Sequence, residues 1–403
     1  MSKLSLFKNS VGRPSNETLR NRRIISVLAI LSVVVFVIGI VLTVNRKNEL
    51  NNDINSSEMN ASASNSSALE VVNVKKKSSD KVVTTLKNIG GKDKIHFIAT
   101  QEGDAILLES NGNYGMVDVG SYNDYNTVVN YLKKVGVKKL RFIIFLHSDY
   151  GNVGGTAKNN QAQGANSIIK TYKPEAIYFK DTGDAVYDKI TANVKTIKGY
   201  DPYIVDTNKF GVNYYERISI KACHAKKKTT IDYKDSVDAN CGSKNEKIGN
   251  GFSWYIWLYN TSVLKHDTNK SVLPSNAQSI VTLISYENNK NSKTKVALYG
   301  DMTYPAQVGE ISSTRKTSLS KTIGDVSLIS VPNRGYSKSW DTAAFNRHNQ
   351  MLDNLKPEYA VINNKGTDST VTNFRNILTE KNINISYTSS QNTEYDAVVY
   401  RLD

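Results

Sequence analysis

Residues 24–44 read IISVLAILSVVVFVIGIVLTV, an uncharged run of 21 positions. As a helix it is long enough to cross a hydrocarbon core of about 30 Å. Ser26, Ser32, Gly39 and Thr43 are its only interruptions, and lipid tolerates all four. Lys3, Lys8, Arg13, Arg20, Arg22 and Arg23 precede it, and only Arg46 and Lys47 follow closely. This bias places 1–23 as a cytoplasmic basic tail, 24–44 as a transmembrane helix, and the remaining chain outside the cell membrane. A cleaved signal peptide is the competing reading. Its apolar region would normally be about 7–15 residues, with a small-residue site directly after it. Here the run is longer and NRKNEL follows.

The stretch 45–93 is rich in Asn, Ser and Lys, which suits a flexible linker that buries no core. Globular patterning begins near residue 94. IHFIAT, AILLES and YGMVDVG read as strands. YNTVVNYLKKV (125–135) has helical spacing, and LRFIIFL has the continuous apolar character of a buried strand. AIYF is a further short strand. The stretch from about 200 to 270 is Tyr- and Lys-rich and less regular, and reads as an insertion. A second half follows: SIVTLISYE, KVALYGD and VSLISVP as strands, a helix around 345–355, YAVIN, a helix over 371–381, and the closing strand DAVVYRL. Two successive halves of this kind predict a layered α/β sandwich.

The insertion holds both cysteines, Cys223 and Cys241. Outside the cell an oxidising environment would let them pair. In the chain-entropy model the bridge would be worth roughly 3 kcal/mol. Two free thiols is the alternative. Lys and Arg exceed Asp and Glu to give a formal net charge of +15. That balance suits an anionic partner such as nucleic acid or a cell-wall polymer. It also suits a protein that is simply basic. The 23 tyrosines, interleaved with lysine in KTYKPEAIYFK and IDYKDS, keep a single-strand-binding reading open.

Four phrases stand in order at predicted strand ends: QEGDAILLES with YGMVDVG (101–120), FLHSDYGNVGG (145–155), NAQSIVTLISYE with ALYGD (276–301), and SVPNRGYSKS (330–339) followed by LKPEYAVI (355–362). Together they resemble the metallo-β-lactamase fold superfamily, and more narrowly the extracellular hydrolase domain of the competence ComEC family and its free-standing relatives. The resemblance covers about 94–403 and implies a four-layer αββα sandwich. It also implies two-metal hydrolysis, in which loop histidines and aspartates hold zinc or manganese and activate water.

Matched to that motif, Asp118 stands at the aspartate that orders the metal loops, and His147 at the first histidine of HxHxDH. Asp149 replaces the second histidine, Gly151 the motif aspartate and Asn152 the last histidine. Asp301 matches the bridging aspartate, and Asn333 and Arg334 replace the family's histidine pair. One metal position has thus lost its ligands, and a guanidinium stands beside it, a group that cannot be deprotonated. His147, Asp149 and Asp301 remain for at most one weakly held zinc or manganese. The candidate pocket is therefore Asp118, His147, Asp149, Asn152, Asp301, Asn333 and Arg334, with no residue assigned to catalysis. His96, His224, His266 and His348 fall in no motif position.

The resemblance predicts a non-catalytic ligand-binding or scaffolding domain, a pseudoenzyme. A weak mononuclear phosphodiesterase-like hydrolase and a competence-related DNA-binding protein are the alternatives. No cofactor is expected, and the protein partner is left open. Gly154 and Gly155, opening a helix, and Arg334 nearby suggest a pocket for an anion. A lone anchor with Lys/Asn-rich composition fits a Gram-positive bacterium.

Overall fold

The computed structural model describes residues 70–75, 92–210, 215–217, 252, 254–260, 279–287, 293–302, 318–336, 342–363, 371–388 and 395–402. All fall within one unit of the chain, Ser67–Asp403.

Two sheets form the frame. The first has eight strands in the order β1 (Glu70–Lys75), β15 (Tyr395–Arg401), β2 (Asp93–Ile98), β3 (Ala105–Ser110), β4 (Asn113–Val119), β5 (Phe142–Ile144), β6 (Ala176–Phe179) and β7 (Tyr203–Asp206). It is antiparallel from β1 to β4 and parallel from β4 to β7. The second has seven strands in the order β14 (Asn384–Tyr387), β13 (Tyr359–Ile362), β12 (Leu328–Ser330), β11 (Lys293–Leu298), β10 (Ile280–Glu287), β9 (Tyr255–Asn260) and β8 (Tyr215–Arg217). It repeats the division: β8 to β11 are antiparallel and β11 to β14 parallel.

Period-two alternation explains how the sheets are covered. In β5, Phe142 and Ile144 point into the seam between the sheets, where Ile95, Ile106 and Val117 meet Trp254, Ile256, Leu258, Val296 and Leu298. Ile143 points the other way. On that outer face lie α1 (Tyr125–Val135), α3 (Gln163–Tyr172) and α4 (Ala185–Thr196), contributing Leu132, Ile169 and Ile190. A four-residue helix, α2 (Tyr150–Val153), sits between α1 and α3 in the chain. The outer face of the second sheet is covered in the same way by α5 (Leu319–Ile323), α6 (Thr342–Leu355) and α7 (Thr372–Glu380), through Leu319, Leu352 and Phe374. The layers are therefore helix, sheet, sheet, helix, the αββα arrangement that the phrases imply.

Two segments differ from the sequence reading. Residues 70–75, assigned to the linker, form edge strand β1 against β15. EVVNV has the β-branched character of a strand, but an Asn/Ser run and a Lys-rich run surround it and mask the signal. The supposed insertion at 200–270 is crossed by β7, β8 and β9. β9 is fully structural: Ile256 and Leu258 face the seam, and Trp257 and Tyr259 the outer core. The apolar run FSWYIWLYN is as strong as any other strand and is obscured only by its polar flanks. Residues 1–23, the apolar run 24–44, Cys223 and Cys241 lie outside the described residues. Among the described residues no helix is long and apolar enough to cross a membrane.

Trp254 is fully buried in the seam, so Trp254→Ala is expected to cost about 3–5 kcal/mol. Urea unfolding of the purified chain measures this. A midpoint unchanged from wild type would return this segment to the status of a surface insertion.

Candidate functional site

The parallel strands of both sheets end on the same edge, where α/β folds place their sites. Asp118 lies at the end of strand β4, with His147 and Asp149 just beyond β5. Asp301 follows β11, Asn333 and Arg334 follow β12, and Asn363 follows β13. Asp104 precedes β3, whose antiparallel pairing (Ala105 with Val119) sets its start level with the end of β4. The Ile280 amide donates to the Leu146 carbonyl at 2.9 Å and joins the two sheets at this edge.

Asp118 is fully buried with a left-handed φ of 53°, a conformation that costs a non-glycine residue about 1–3 kcal/mol. Its Oδ1 accepts the Leu146 amide at 2.8 Å and fixes the residue before His147. Burial raises its carboxyl well above the usual range, with Asp104 adding to the effect. The His147 loop is held from outside as well. Ser148 Oγ donates to Asp184 at 2.5 Å, and Asn160 Nδ2 donates to the Ser148 carbonyl at 2.8 Å.

The opposite wall is the 101–104 loop. The buried carboxylate of Asp124 accepts the amides of Gln101 (2.5 Å), Glu102 (3.2 Å) and Ser121 (3.1 Å), and the Ser121 hydroxyl (2.7 Å). Asn363 Nδ2 bonds Thr100 Oγ1 (2.9 Å), Asp104 Oδ1 (3.0 Å) and the Gly103 carbonyl. So held, Gly103 meets Gly151: a Cβ built on Gly103, at φ 82°, would fall 1.6 Å from the Gly151 carbonyl oxygen. Only glycine permits this approach.

Arg334 lies at the centre. It and Asn333 both have left-handed φ, 52° and 46°. The Asn333 amide donates to the Gly300 carbonyl at 2.7 Å and pins the turn. Arg334 Nη2 approaches Asp301 Oδ1 at 3.4 Å. A Cβ built on Gly151 would lie 2.9 Å from the same nitrogen. The guanidinium thus fills the space that a side chain at 151 would enter. Asp301, Asp104 and Asp149 hold its charge in place against burial.

Asp149 is raised by burial and then by Asp301, with His147 and Arg334 pulling the other way. His147 is 6% exposed. Its Nδ1 lies 3.9 Å from Asp301 Oδ2 and accepts the Asp149 amide at 3.1 Å, and its Nε2 has no partner. Asn152 is fully buried with neither side-chain atom partnered.

Asp118, His147, Asp149, Asp301 and Arg334 therefore share one site. Asn333 does not turn its side chain inward: its Nδ2 bonds the Tyr336 carbonyl at 3.1 Å. Asp104 and Asn363 belong to the site and were not singled out from sequence. Asp104 stands in the phrase QEGDAILLES and Asn363 directly after LKPEYAVI, and neither is a position to which the resemblance gives a metal role. His96 is a core residue between Tyr131 and Glu109 (2.9 and 3.0 Å), and His348 packs on Phe374 in the outer layer. His224 and His266 lie outside the described residues.

Two expectations change. Gly154 and Gly155 offer no free amides, because their N–H groups donate to the Gly120 and Tyr150 carbonyls at 2.8 and 2.9 Å. With Asp104, Asp149 and Asp301 around one guanidinium, the pocket also does not attract an anion. Nor do the residues fit a metal as they stand. Arg334 holds Asp301, the Asp149 amide bonds the ring nitrogen that faces Asp301, and among the described residues no three His, Cys, Asp or Glu side chains are grouped to hold an ion.

No family model matches the chain, and no curated protein does. Solved structures similar to it are metallo-β-lactamase-fold proteins. YhfI from Bacillus subtilis, described as a metallo-β-lactamase fold protein, is 11% identical over 76% of this chain and 98% of its own, with a TM-score of 0.41. Igni18, a metallo hydrolase from Ignicoccus hospitalis, is 12% identical over 77% and 99%, with a TM-score of 0.39. The Rm3 metallo-β-lactamase is 8% identical over 70% and 80%, with a TM-score of 0.32.

Asp104 gives the site a pH signature. Burial lifts its carboxyl from 3.8 to about 6, with Arg334 opposing. Below pH ~4 it is neutral folded and unfolded. Between ~4 and ~6 only the unfolded chain releases the proton, so stability falls as pH rises, by about 3 kcal/mol in all, and then levels. Asp104→Asn is expected to stabilise the chain at pH 7 and to flatten that window by one proton's slope. Denaturant titrations at a series of pH values measure it, and curves that run parallel to wild type would refute the assignment.

Proposed function

We propose that this chain is a membrane-anchored, extracellular domain of metallo-β-lactamase-like architecture that acts by binding or scaffolding rather than by hydrolysis. The observation that carries this reading is Arg334 against Asp301, at 3.4 Å, with Gly151 making room for it. A hydrolase of the two-metal kind needs a cation there that can bind and polarise water. A guanidinium is a hydrogen-bond donor with no coordination site to offer. The four ordered phrases support kinship with the ComEC-type branch, and the apolar run 24–44 with its flanking charges supports the anchor and its orientation.

The chemistry of the pocket and that of the whole chain point to different partners. The whole chain carries +15, and residues 94–403 hold 38 of the 52 basic and 30 of the 37 acidic residues; this excess of 8 on the domain favours an anionic partner on its surface, of the cell-wall polymer or nucleic-acid kind. The pocket itself is lined by carboxylates. An anionic partner is therefore assigned to the exterior of the domain and not to the site edge.

A mononuclear hydrolase is the second reading, favoured by His147 standing 3.9 Å from Asp301 with Asp149 alongside. One measurement separates the two. The purified chain is incubated with zinc and manganese, stripped of excess, and analysed for metal and for cleavage of a phosphodiester. The binding reading expects neither retained metal nor turnover. Close to one ion per chain, lost in His147→Ala together with turnover, would establish the hydrolase instead.

A further inference from the structure

We infer that the edge of the first sheet opposite the site is a docking face for anionic lipid headgroups, presented by Lys138, Lys139, Lys173 and Lys198. This rests on the membrane-anchored reading above. It gives the charge excess of the domain a place, and that place favours lipid over the polymers named above.

Three connections enter the parallel strands at that edge: 136–141 into β5, 173–175 into β6 and 197–202 into β7. Backbone bonds lay them side by side. The Leu140 amide donates to the Tyr172 carbonyl at 3.1 Å, the Glu175 amide to the Arg141 carbonyl at 3.1 Å, and the Tyr203 amide to the Glu175 carbonyl at 2.8 Å. Counted with the helix ends that feed them, KKVGVKKLR (133–141), KTYKPE (170–175) and KTIKGYD (195–201) carry nine cations against two acids, Glu175 and Asp201. Glu175 is already bonded by Lys139 and Arg141, at 2.8 and 2.7 Å. Lysines in the last turns of α1, α3 and α4 answer the helix dipoles. Lys138, Lys139, Lys173 and Lys198 stand past those turns, and all four are exposed. The second sheet shows no such excess at the same level. Its connections 324–327, 356–358 and 381–383 carry two cations and two acids, with Lys356 on Asp325 at 3.3 Å and Lys381 on Asp353 at 2.5 Å.

The entry point of the chain selects the partner. A row of strand partners, Glu70, Arg401, Lys94, Glu109 and Tyr114, crosses the sheet to Arg141, whose amide donates to the Tyr114 carbonyl at 2.7 Å. The first residue of β1 therefore lies at the lysine edge, and the chain that leads there from the apolar run 24–44 enters on that side. Residues 45–69 lie between, a length that reaches at most about 85 Å. A lysine brought to an anionic bilayer strengthens binding about fivefold, and several on one edge act together. A single-stranded nucleic acid would ask for aromatic platforms instead. The large exposed aromatics among the described residues are Tyr122, Tyr336 and Phe345, and none is in these segments. Docked by this edge, the domain turns Arg334 and its carboxylates away from the lipid.

The test uses the full chain in two sets of nanodiscs, one of phosphatidylcholine alone and one with phosphatidylglycerol added. Lysines are labelled with an amine-reactive ester and read residue by residue by mass spectrometry. Labelling of Lys138, Lys173 and Lys198 is expected to slow several-fold in the anionic discs and to recover in high salt, where such attractions are screened. Lys158, exposed beside the His147 loop, should label alike in both. The triple variant Lys138→Glu, Lys173→Glu, Lys198→Glu should melt with wild type and lose the lipid difference at Lys139. If it melts lower, Lys198→Ala alone should still weaken the protection of Lys138 about fivefold. A chain that does not stay with phosphatidylcholine discs on size exclusion would overturn the anchored reading and this inference together. A chain held by both discs but labelled alike at the three lysines overturns the inference alone. Protection brought by soluble polyphosphate or an oligonucleotide, and not by anionic lipid, gives the face to a polymer and overturns it as well.

Discussion

Apolarity on both faces of the central strands is the constraint from which the rest follows. β5 sends Phe142 and Ile144 one way and Ile143 the other, and all three are fully buried. A sheet of such strands cannot leave either face to water. One face is closed by the second sheet and the other by helices, and the second sheet, built on the same principle, needs its own helices. Four layers are the smallest arrangement that satisfies both sheets. Once they are stacked, the parallel strand ends of the two sheets face a common edge, and the loops there carry the site residues.

On that edge the restraints are polar and specific. Asp118 ties β4 to the His147 loop, Asp124 ties the 101–103 loop to the start of α1, and Asn363 ties the loop after β13 to Asp104. Their combined result is one close approach, Gly103 on Gly151, and one inserted side chain, Arg334. The carboxylates of the site face a covalently attached charge, and burial raises Asp104, Asp118 and Asp149 above the usual carboxylate range.

Much of this was legible in the sequence. The continuous apolar run around β5, the helical spacing over 125–135 and the alternation in the second half mark the elements, because burial writes itself into local periodicity. The ordered phrases brought Asp118, His147, Asp149, Asp301 and Arg334 to one site although they lie far apart in the chain. What escaped was of two kinds. β1 and β9 are strands whose flanks are polar enough to hide them. Asp104, Asn363 and the Gly103–Gly151 contact are relations between loops, and no window of sequence contains both partners. The spent amides of Gly154 and Gly155 are of the same kind, since their acceptors are set by the fold.

The position of β15 carries a consequence for how the chain reaches this structure. The strand formed from residues 395–401 lies between β1 and β2, pairing with both. β1 precedes it by about 320 residues. Until residues 395–401 are available, β1 has no partner in the sheet and β2 has an open edge. Assembly of this edge therefore waits for a strand about 320 residues further along than β1, and loop closure over such a span is slow. A chain lacking residues 395–401 would lose the strand that joins β1 to β2, and would present two unpaired edges of the kind that recruit other chains.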